Sequence, residues 1–322
     1  MLFPLPTIYV VLIRPSWSND QLFEFTRTIV IAEWQNIVFD QFLTALLGSA
    51  NPFSQANPPP YDPTVDASIT NSFATAAYRF GHSMVQGLHS LFTVPGNFHA
   101  DDVDLSTNFF ESSSYVAVNG GGAEWLLNGL MRQSARKLDP AVTEALTNHL
   151  FANNNAGLGS DLIARNINRG RDHGLPSYND FREACGLPKI CSWGARPAEI
   201  SPENWETLRH TYALPMDIDL FPGGLAEEPV NGGILGETFS CLVSEQFRKL
   251  IQGDRFFFTH QAPSHPLIFA QIQKYAIFAR TLGDLICDNT DITEVRKNVF
   301  RSDSPFVSCE ESTKLDINVF FE

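Results

Sequence analysis

Apolar residues recur at helical spacing through most of this chain, and alternation with a period of two is rare. Across residues 21–47 they fall at Leu22, Phe25, Ile29, Trp34, Ile37, Val38, Phe42, Leu46 and Leu47. That pattern predicts a core helix closed by Gly48 as its C-cap. A second helix is predicted over residues 68–92 with Asp66 as its N-cap. On a wheel of about 3.6 residues per turn, its Ile69, Phe73, Ala77, Phe80, Met84, Leu88 and Leu91 form one narrow stripe. The opposite face carries Thr75, Tyr78, Arg79, His82, Gln86 and His89, and His82 points almost directly away from Phe80. Further helices are expected over residues 123–133 and over 140–151, the latter with Asp139 as N-cap and Pro140 at the first helical position. Ser160 opens one through Asn166, Ser177 with Asp180 forms a capping-box start, and Ser201-Pro202 begins one through His210. Residues 235–251 and 266–285 read as long helices, and Asp291 with Glu294 as the cap of a short one. The proline-rich residues 51–63 are an extended connector, and residues 93–119 are irregular. The fold class is mainly α: long helices, sparse short strands, no internal repeat, and no linker dividing the C-terminal part.

Composition narrows the function classes. The 322 residues suffice for one large domain or two ordinary ones, and 43% hydrophobic with 18% charged residues describes a globular protein. A net charge of −14 argues against a nucleic-acid partner. The basic cluster Arg165, Arg169 and Arg171, interrupted by Asp172, suits a few carboxylates better than a polyanion. The acidic run Asp101, Asp102, Asp104 lacks the ligand spacing of a calcium loop and reads as a solvated loop. The glycine run at 120–122 stands outside any phosphate-binding pattern. Residues 1–13 end in an apolar run too short to span a bilayer, without Lys or Arg before Arg14, and no later stretch reads as a membrane span. Five cysteines fit a secreted or lumenal protein and leave one over, although no N-x-[ST] sequon occurs.

Two stretches carry candidate chemistry. The first is Arg79-Phe80-Gly81-His82. His82 there reads either as part of a solvated helix face or as an axial metal ligand, with Arg79 holding an acidic group of the same cofactor. The second runs from Arg165 through Asn166, Arg169, Arg171, Asp172, His173, Gly174 and Leu175 to Pro176. In this order the two resemble the R-[FY]-G-H and N-x-x-R-[GS]-R-D-H-G-L-P runs of the animal haem peroxidases, the peroxidasin and myeloperoxidase group. The resemblance continues in Tyr178-Asn179, Phe181-Arg182, Cys185-Gly186-Leu187-Pro188, Gln246-Phe247-Arg248, Gly253-Asp254-Arg255-Phe256 and Ile286-Cys287-Asp288-Asn289-Thr290. It covers roughly Arg14 to the C-terminus, so residues 14–322 resemble the C-terminal part of a peroxidase domain, behind an unrelated apolar segment of residues 1–13.

The resemblance implies a haem b whose iron is held by His82 Nε2. Asn166 would accept a hydrogen bond from His82 Nδ1–H through its side-chain oxygen. Arg79 and Arg169 would meet haem propionates. Arg171 and Asp172 would form a buried charge pair locking the loop, with His173 a packed loop histidine. The implied disulfides are Cys185–Cys241 and Cys287–Cys309, with Cys191 unpaired or competing for Cys185. The implied activity is reduction of hydrogen peroxide with oxidation of a small-molecule or phenolic donor through a ferryl haem, in a secreted protein. The family's distal histidine precedes the proximal one, yet the first histidine here is His82. The distal glutamine, the catalytic arginine, the haem-esterifying carboxylates and the calcium loop are missing too. Three readings stay open: a peroxidase chain whose distal half comes from another polypeptide, an inactive haem-binding fragment, and a non-enzymatic helical interaction module.

Overall fold

The computed structural model describes residues 13–53, 58–110, 122–152, 159–261 and 269–321. Helix α1 (Asn19–Asn36) starts from a capping box in which Ser18 and Gln21 exchange side-chain-to-backbone hydrogen bonds. It continues through a π-helical turn (Ile37–Phe42) into α2 (Leu43–Leu47), so the expected 21–47 helix is present with one wide turn inside it. Gly48 ends it at φ 59°, and a Cβ there would lie 2.0 Å from the carbonyl oxygen of Asn231. The chain passes too close for any other residue.

The expected helix over 68–92 is three elements instead. Asp66 caps only a turn at Ser68, and α3 (Asn71–Thr75) follows Thr70. Ala76 leaves helical geometry at φ −138°, and a 3₁₀ helix (Ala77–Met84) follows. Strand β1 (Leu88–Phe92) then pairs antiparallel with β2 (His99–Asp104), which carries the acidic run. The physical reason lies in the period. Within the 3₁₀ helix the buried residues are Ala77, Phe80 and Ser83, every third position. A wheel drawn at the α period had no place for a buried serine, yet Ser83 is fully buried and exchanges hydrogen bonds with the backbone of Asp139. Ile69 and Leu88, given to the apolar stripe, are each 51% exposed.

Helix α4 (Gly122–Arg132) matches its prediction. The 140–151 helix shrinks to one turn, α5 (Glu144–Thr147), because Asp139 closes a local turn onto Ala141 N instead of capping a helix. Helix α6 (Leu162–Asp172) is capped by Asp161 rather than Ser160. Helices α7 (Tyr178–Ala184) and α8 (Pro202–Thr211) start at the expected caps Ser177 and Ser201. Helices α9 (Leu220–Ala226) and α10 (Glu237–Gly253) follow. The helix expected over 266–285, whose first residues lie outside the described ones, is divided into α11 (Gln271–Phe278) and α12 (Leu282–Asn289). The break is fixed by Asn36, whose side chain donates to the carbonyls of Ile277 and Arg280, and by Thr281, which caps α12. The short helix expected at Asp291 is a strand, β3 (Glu294–Arg296), paired with β4 (Phe306–Ser308). The class is mainly α, as expected.

One large core joins α1, the 3₁₀ helix and α7 through α11. Helix α9 lies against its neighbours through Gly223 and Gly224, where an added Cβ would meet the rings of Tyr178 at 2.3 Å and Phe239 at 2.2 Å. Behind it Glu227, 2% exposed, accepts from Tyr178 Oη, Thr238 Oγ1 and Thr238 N. Burial holds its carboxyl above the ordinary value, against these donors and the nearby Arg182 guanidinium. The disulfides are Cys185–Cys241 and Cys287–Cys309, as the resemblance implied, and Cys191 is free and exposed. In the chain-entropy treatment each contributes about 3–4 kcal/mol. Iodoacetamide is expected to label Cys191 alone in the native, unreduced protein, and peptide mapping that finds a Cys185–Cys191 bridge would contradict the pairing.

Candidate functional site

The 3₁₀ helix places Arg79 and His82 three residues apart and therefore on one ridge, since side chains at this spacing eclipse. That ridge faces α6, and both residues meet one side chain there, the fully buried Asn166. Arg79 Nη1 donates to Asn166 Oδ1 at 2.8 Å, and Asn166 Nδ2 lies 2.9 Å from His82 Nδ1. Local spacing could not have paired residues 84 positions apart; packing of α3 against α6 does so.

The amide is turned opposite to the expectation. Its oxygen faces Arg79 rather than His82, because a guanidinium has only donors and its amide neighbour must present an acceptor. In this arrangement Nδ1 of His82 accepts from the Asn166 amide, and the proton of the neutral ring sits on Nε2. Nε2 itself makes no hydrogen bond among the described residues. Burial first, and the charge of Arg79 second, push the His82 imidazole below the ordinary histidine value and keep it neutral.

Arg79 has no carboxylate partner among the described residues: its Nε donates to the Ala74 carbonyl and its Nη1 to Asn166. Burial lowers its pKa, and so does Arg169, whose charge lies close enough to repel it. Arg169 is exposed and pairs at 3.3 Å with Asp172. Two guanidinium groups thus stand near one another beside a half-buried neutral imidazole.

The neighbouring loop differs from its expected form. Arg171 does not pair with Asp172; it makes a two-pronged contact with Asp219 at 2.9 and 2.6 Å. Asp219 also accepts from Tyr212 Oη at 2.9 Å. Asp172 is exposed because the helix ends there and turns its side chain to solvent. His173 is exposed rather than packed, and it exchanges hydrogen bonds with the Asn71 side chain through its Nδ1 and carbonyl oxygen. These bonds clip the start of α3 to the end of α6.

Gln246 was missed as a positioning residue. Fully buried on α10, it accepts from both N and Oγ1 of Thr70, the N-cap of α3, at 2.7 and 2.9 Å and donates to the Ser68 carbonyl. It fixes the entry into the His82 segment. A glutamine on the apolar face of a long helix was the available signal. Among the described residues, no group of three or more His, Cys, Asp and Glu side chains is disposed to hold a metal ion, the acidic run on β2 included.

The arrangement is a half-buried imidazole held by a buried amide, with two arginines beside it. Comparison of the whole sequence gives the class of protein that carries it. The animal haem peroxidase profile matches residues 10–300, and the chain belongs to that family. It is similar to the peroxidasin homolog of Homo sapiens, 37% identical over 318 residues, covering 96% of this chain and 21% of that protein. It is also similar to the chorion peroxidase of Drosophila melanogaster, 34% identical over 325 residues, covering 95% of this chain and 39% of that one. The chain therefore spans less than half the length of these relatives. Among solved structures, peroxidase A of Dictyostelium discoideum superposes with a TM-score of 0.80 at 29% identity, covering 94% of this chain and 56% of that chain. A fatty acid α-dioxygenase from Oryza sativa shares the fold with a TM-score of 0.70 at 17% identity, over 89% of this chain and 53% of that chain.

Proposed function

We propose that this chain forms the proximal side of a haem peroxidase centre, with His82 Nε2 as the axial ligand. The observation that carries the reading is the chain of contacts from Arg79 through Asn166 to His82, with the Arg169 guanidinium close by. The residues present fit haem: the imidazole supplies one ligand, and Arg79 and Arg169 supply counter-charge for two propionates. Bound there, haem supplies the redox chemistry that reduces hydrogen peroxide at the expense of a small-molecule or phenolic donor. The protein's own part is to steer a proton. A propionate engaging Arg79 would free the Asn166 oxygen to turn toward His82. The ring proton would then sit on Nδ1, donated to that oxygen, and Nε2 would be open to iron. Asn166 would thus respond to whether Arg79 is engaged by a propionate and set the tautomer of His82.

The second side of the centre, where a base would take a proton from peroxide, has no counterpart in this sequence, whose first histidine is His82. The two disulfides fit a location outside the reducing compartments of the cell.

Two variants test the relay through haem titration followed by absorbance. Asn166→Ala is expected to keep iron bound but to lose about 10–100-fold in affinity, the usual cost of removing the partner that orients a ligand. Arg79→Ala should weaken haem retention by about 1.5–3 kcal/mol, the range for a hydrogen bond to a charged group. Haem affinity unchanged in both would contradict the relay, and failure of the chain to take up haem would favour the interaction-module reading.

A further inference from the structure

A phenol that the haem reading leaves without a role is buried behind α9. Tyr178 is fully buried, and its Oη donates to Glu227 Oε1 at 2.6 Å. Glu227 is fixed for this contact: Thr238 Oγ1 donates to the same oxygen at 2.6 Å, and Thr238 N to the other at 2.8 Å. Arg182 Nη1 donates to Tyr178 Oη at 3.1 Å, and the guanidinium lies 5.6 Å from the ring centroid. A fixed positive charge there opposes a second one on the ring. An electron can therefore leave the ring readily only if the phenolic proton leaves with it. The acceptor for that proton is already in place. Burial raises the Glu227 carboxyl above the ordinary value, which makes its ionised form the stronger base.

Tyr212 shows what sets this pair apart. Its Oη also meets a carboxylate, Asp219, at 2.9 Å. Asp219, however, gives both oxygens to Arg171, at 2.9 and 2.6 Å, and a carboxylate bridged by a guanidinium is a poor base. Glu227 has no such bond, since Arg182 Nη1 lies 3.8 Å from its Oε1. The place of Tyr178 matters as much as its partner. Gly223 lets the Tyr178 ring lie on the backbone of α9, where an added Cβ would stand 2.3 Å from it. Leu220 and Phe221 of the same helix line a small cavity with Ala76 and Asn166, the residue that touches His82. One helix, about 10 Å across, thus stands between the phenol and the His82 site.

We propose that Tyr178 and Glu227 form a one-electron redox site, in which the phenol gives its electron to an oxidant across α9 and its proton to Glu227 Oε1. The phenolic O–H bond breaks, an O–H bond forms on Glu227, and a neutral phenoxyl radical remains. An electron returned to the ring takes the proton back. The oxidant is the oxidised haem centre, so the role of the site rests on the haem reading above. The core then holds one oxidising equivalent until a phenolic donor supplies an electron. The test oxidises the full chain, free of haem, with photogenerated tris(bipyridine)ruthenium(III) and follows the phenoxyl absorbance. A long-lived component is expected, which Tyr178→Phe lacks and Tyr212→Phe keeps. Glu227→Gln, which cannot take the proton, should form it about 100-fold more slowly, within the range for a positioned proton acceptor. Thr238→Val removes one donor from Glu227 Oε1 and should form it faster; this variant decides the matter if circular dichroism shows that Tyr178→Phe or Glu227→Gln is unfolded. A purely structural network would leave the component unchanged in Tyr178→Phe and its rate unchanged in Glu227→Gln and Thr238→Val, and any of these results would overturn the proposal. The same chains loaded with haem, treated with hydrogen peroxide and read by electron paramagnetic resonance separate the two readings. A flash signal that depends on Tyr178, with no radical in the peroxide-treated chain, means that the redox site stands and the haem reading fails.

Discussion

Arg280→Ala is expected to lower the unfolding free energy by about 3–5 kcal/mol, the cost of removing one partner from a buried ion pair. Arg280 is 4% exposed and sits at the break between α11 and α12. Its guanidinium serves Glu33 from α1, Asp288 from α12 and the Thr313 carbonyl at once. Glu33, 3% exposed, would be left without its cation. Burial already raises the Glu33 carboxyl above the ordinary value, and Arg280 is the chief opposing influence. Without it the folded-state pKa rises further. A raised folded-state value means that the folded protein holds the proton more tightly than the unfolded chain. The penalty is therefore greatest at a pH above the folded-state pKa and shrinks as pH falls toward 4.5. Urea unfolding at pH 7 and pH 5 should show the gap between wild type and variant narrowing at the lower pH. Glu33→Gln in the Arg280→Ala background should restore part of the loss. A change below about 1 kcal/mol at pH 7 would mean that the pair is no more than a surface contact.

His82→Ala is expected to abolish axial ligation while the chain stays folded. The side chain is half-buried and its ring touches Asn166, whereas the residues that anchor its 3₁₀ helix are Ala77, Phe80 and Ser83. Removing the ring takes away the proposed ligand and leaves that anchor intact. The flanking clips, Gln246 on Thr70 and Asn71 on His173, are untouched as well. The effect on haem binding should exceed that of Asn166→Ala or Arg79→Ala, since those change only the orientation and counter-charge of the site. A variant that binds haem weakly at another position would show this as an altered Soret band and spin state.

The parts of this molecule legible in the sequence were those with local causes. The capping serines Ser18, Ser177 and Ser201 act through residues three positions away, and the last two were placed from the sequence. The helix of residues 21–47 carried its apolar spacing throughout, and only the π-helical turn escaped notice. The His82 segment misled for a definite reason. Its apolar residues fit the α period closely enough to suggest one long helix, while its true period of three shows only when Ser83 is known to be buried. Arg79 and His82 stayed together because a separation of three residues brings side chains to one face under either period. Asn166 could be tied to His82 only by resemblance, because 84 residues of intervening chain leave no local trace. The orientation of its amide depends on Arg79 and becomes visible only when all three are in place. Arg171 was assigned to its neighbour Asp172 because adjacency was all that the sequence offered, whereas Asp219 lies 48 residues away.

The measurement closest to the central claim is haem titration of the wild type and of His82→Gly, with and without added imidazole. The account predicts that wild type takes up one haem with the absorbance and spin state of an imidazole-ligated iron. His82→Gly should lose that signature and regain it when free imidazole enters the space the side chain left, beside Asn166. A Soret band and spin state unchanged by the substitution, before any imidazole is added, would show that His82 is not the ligand.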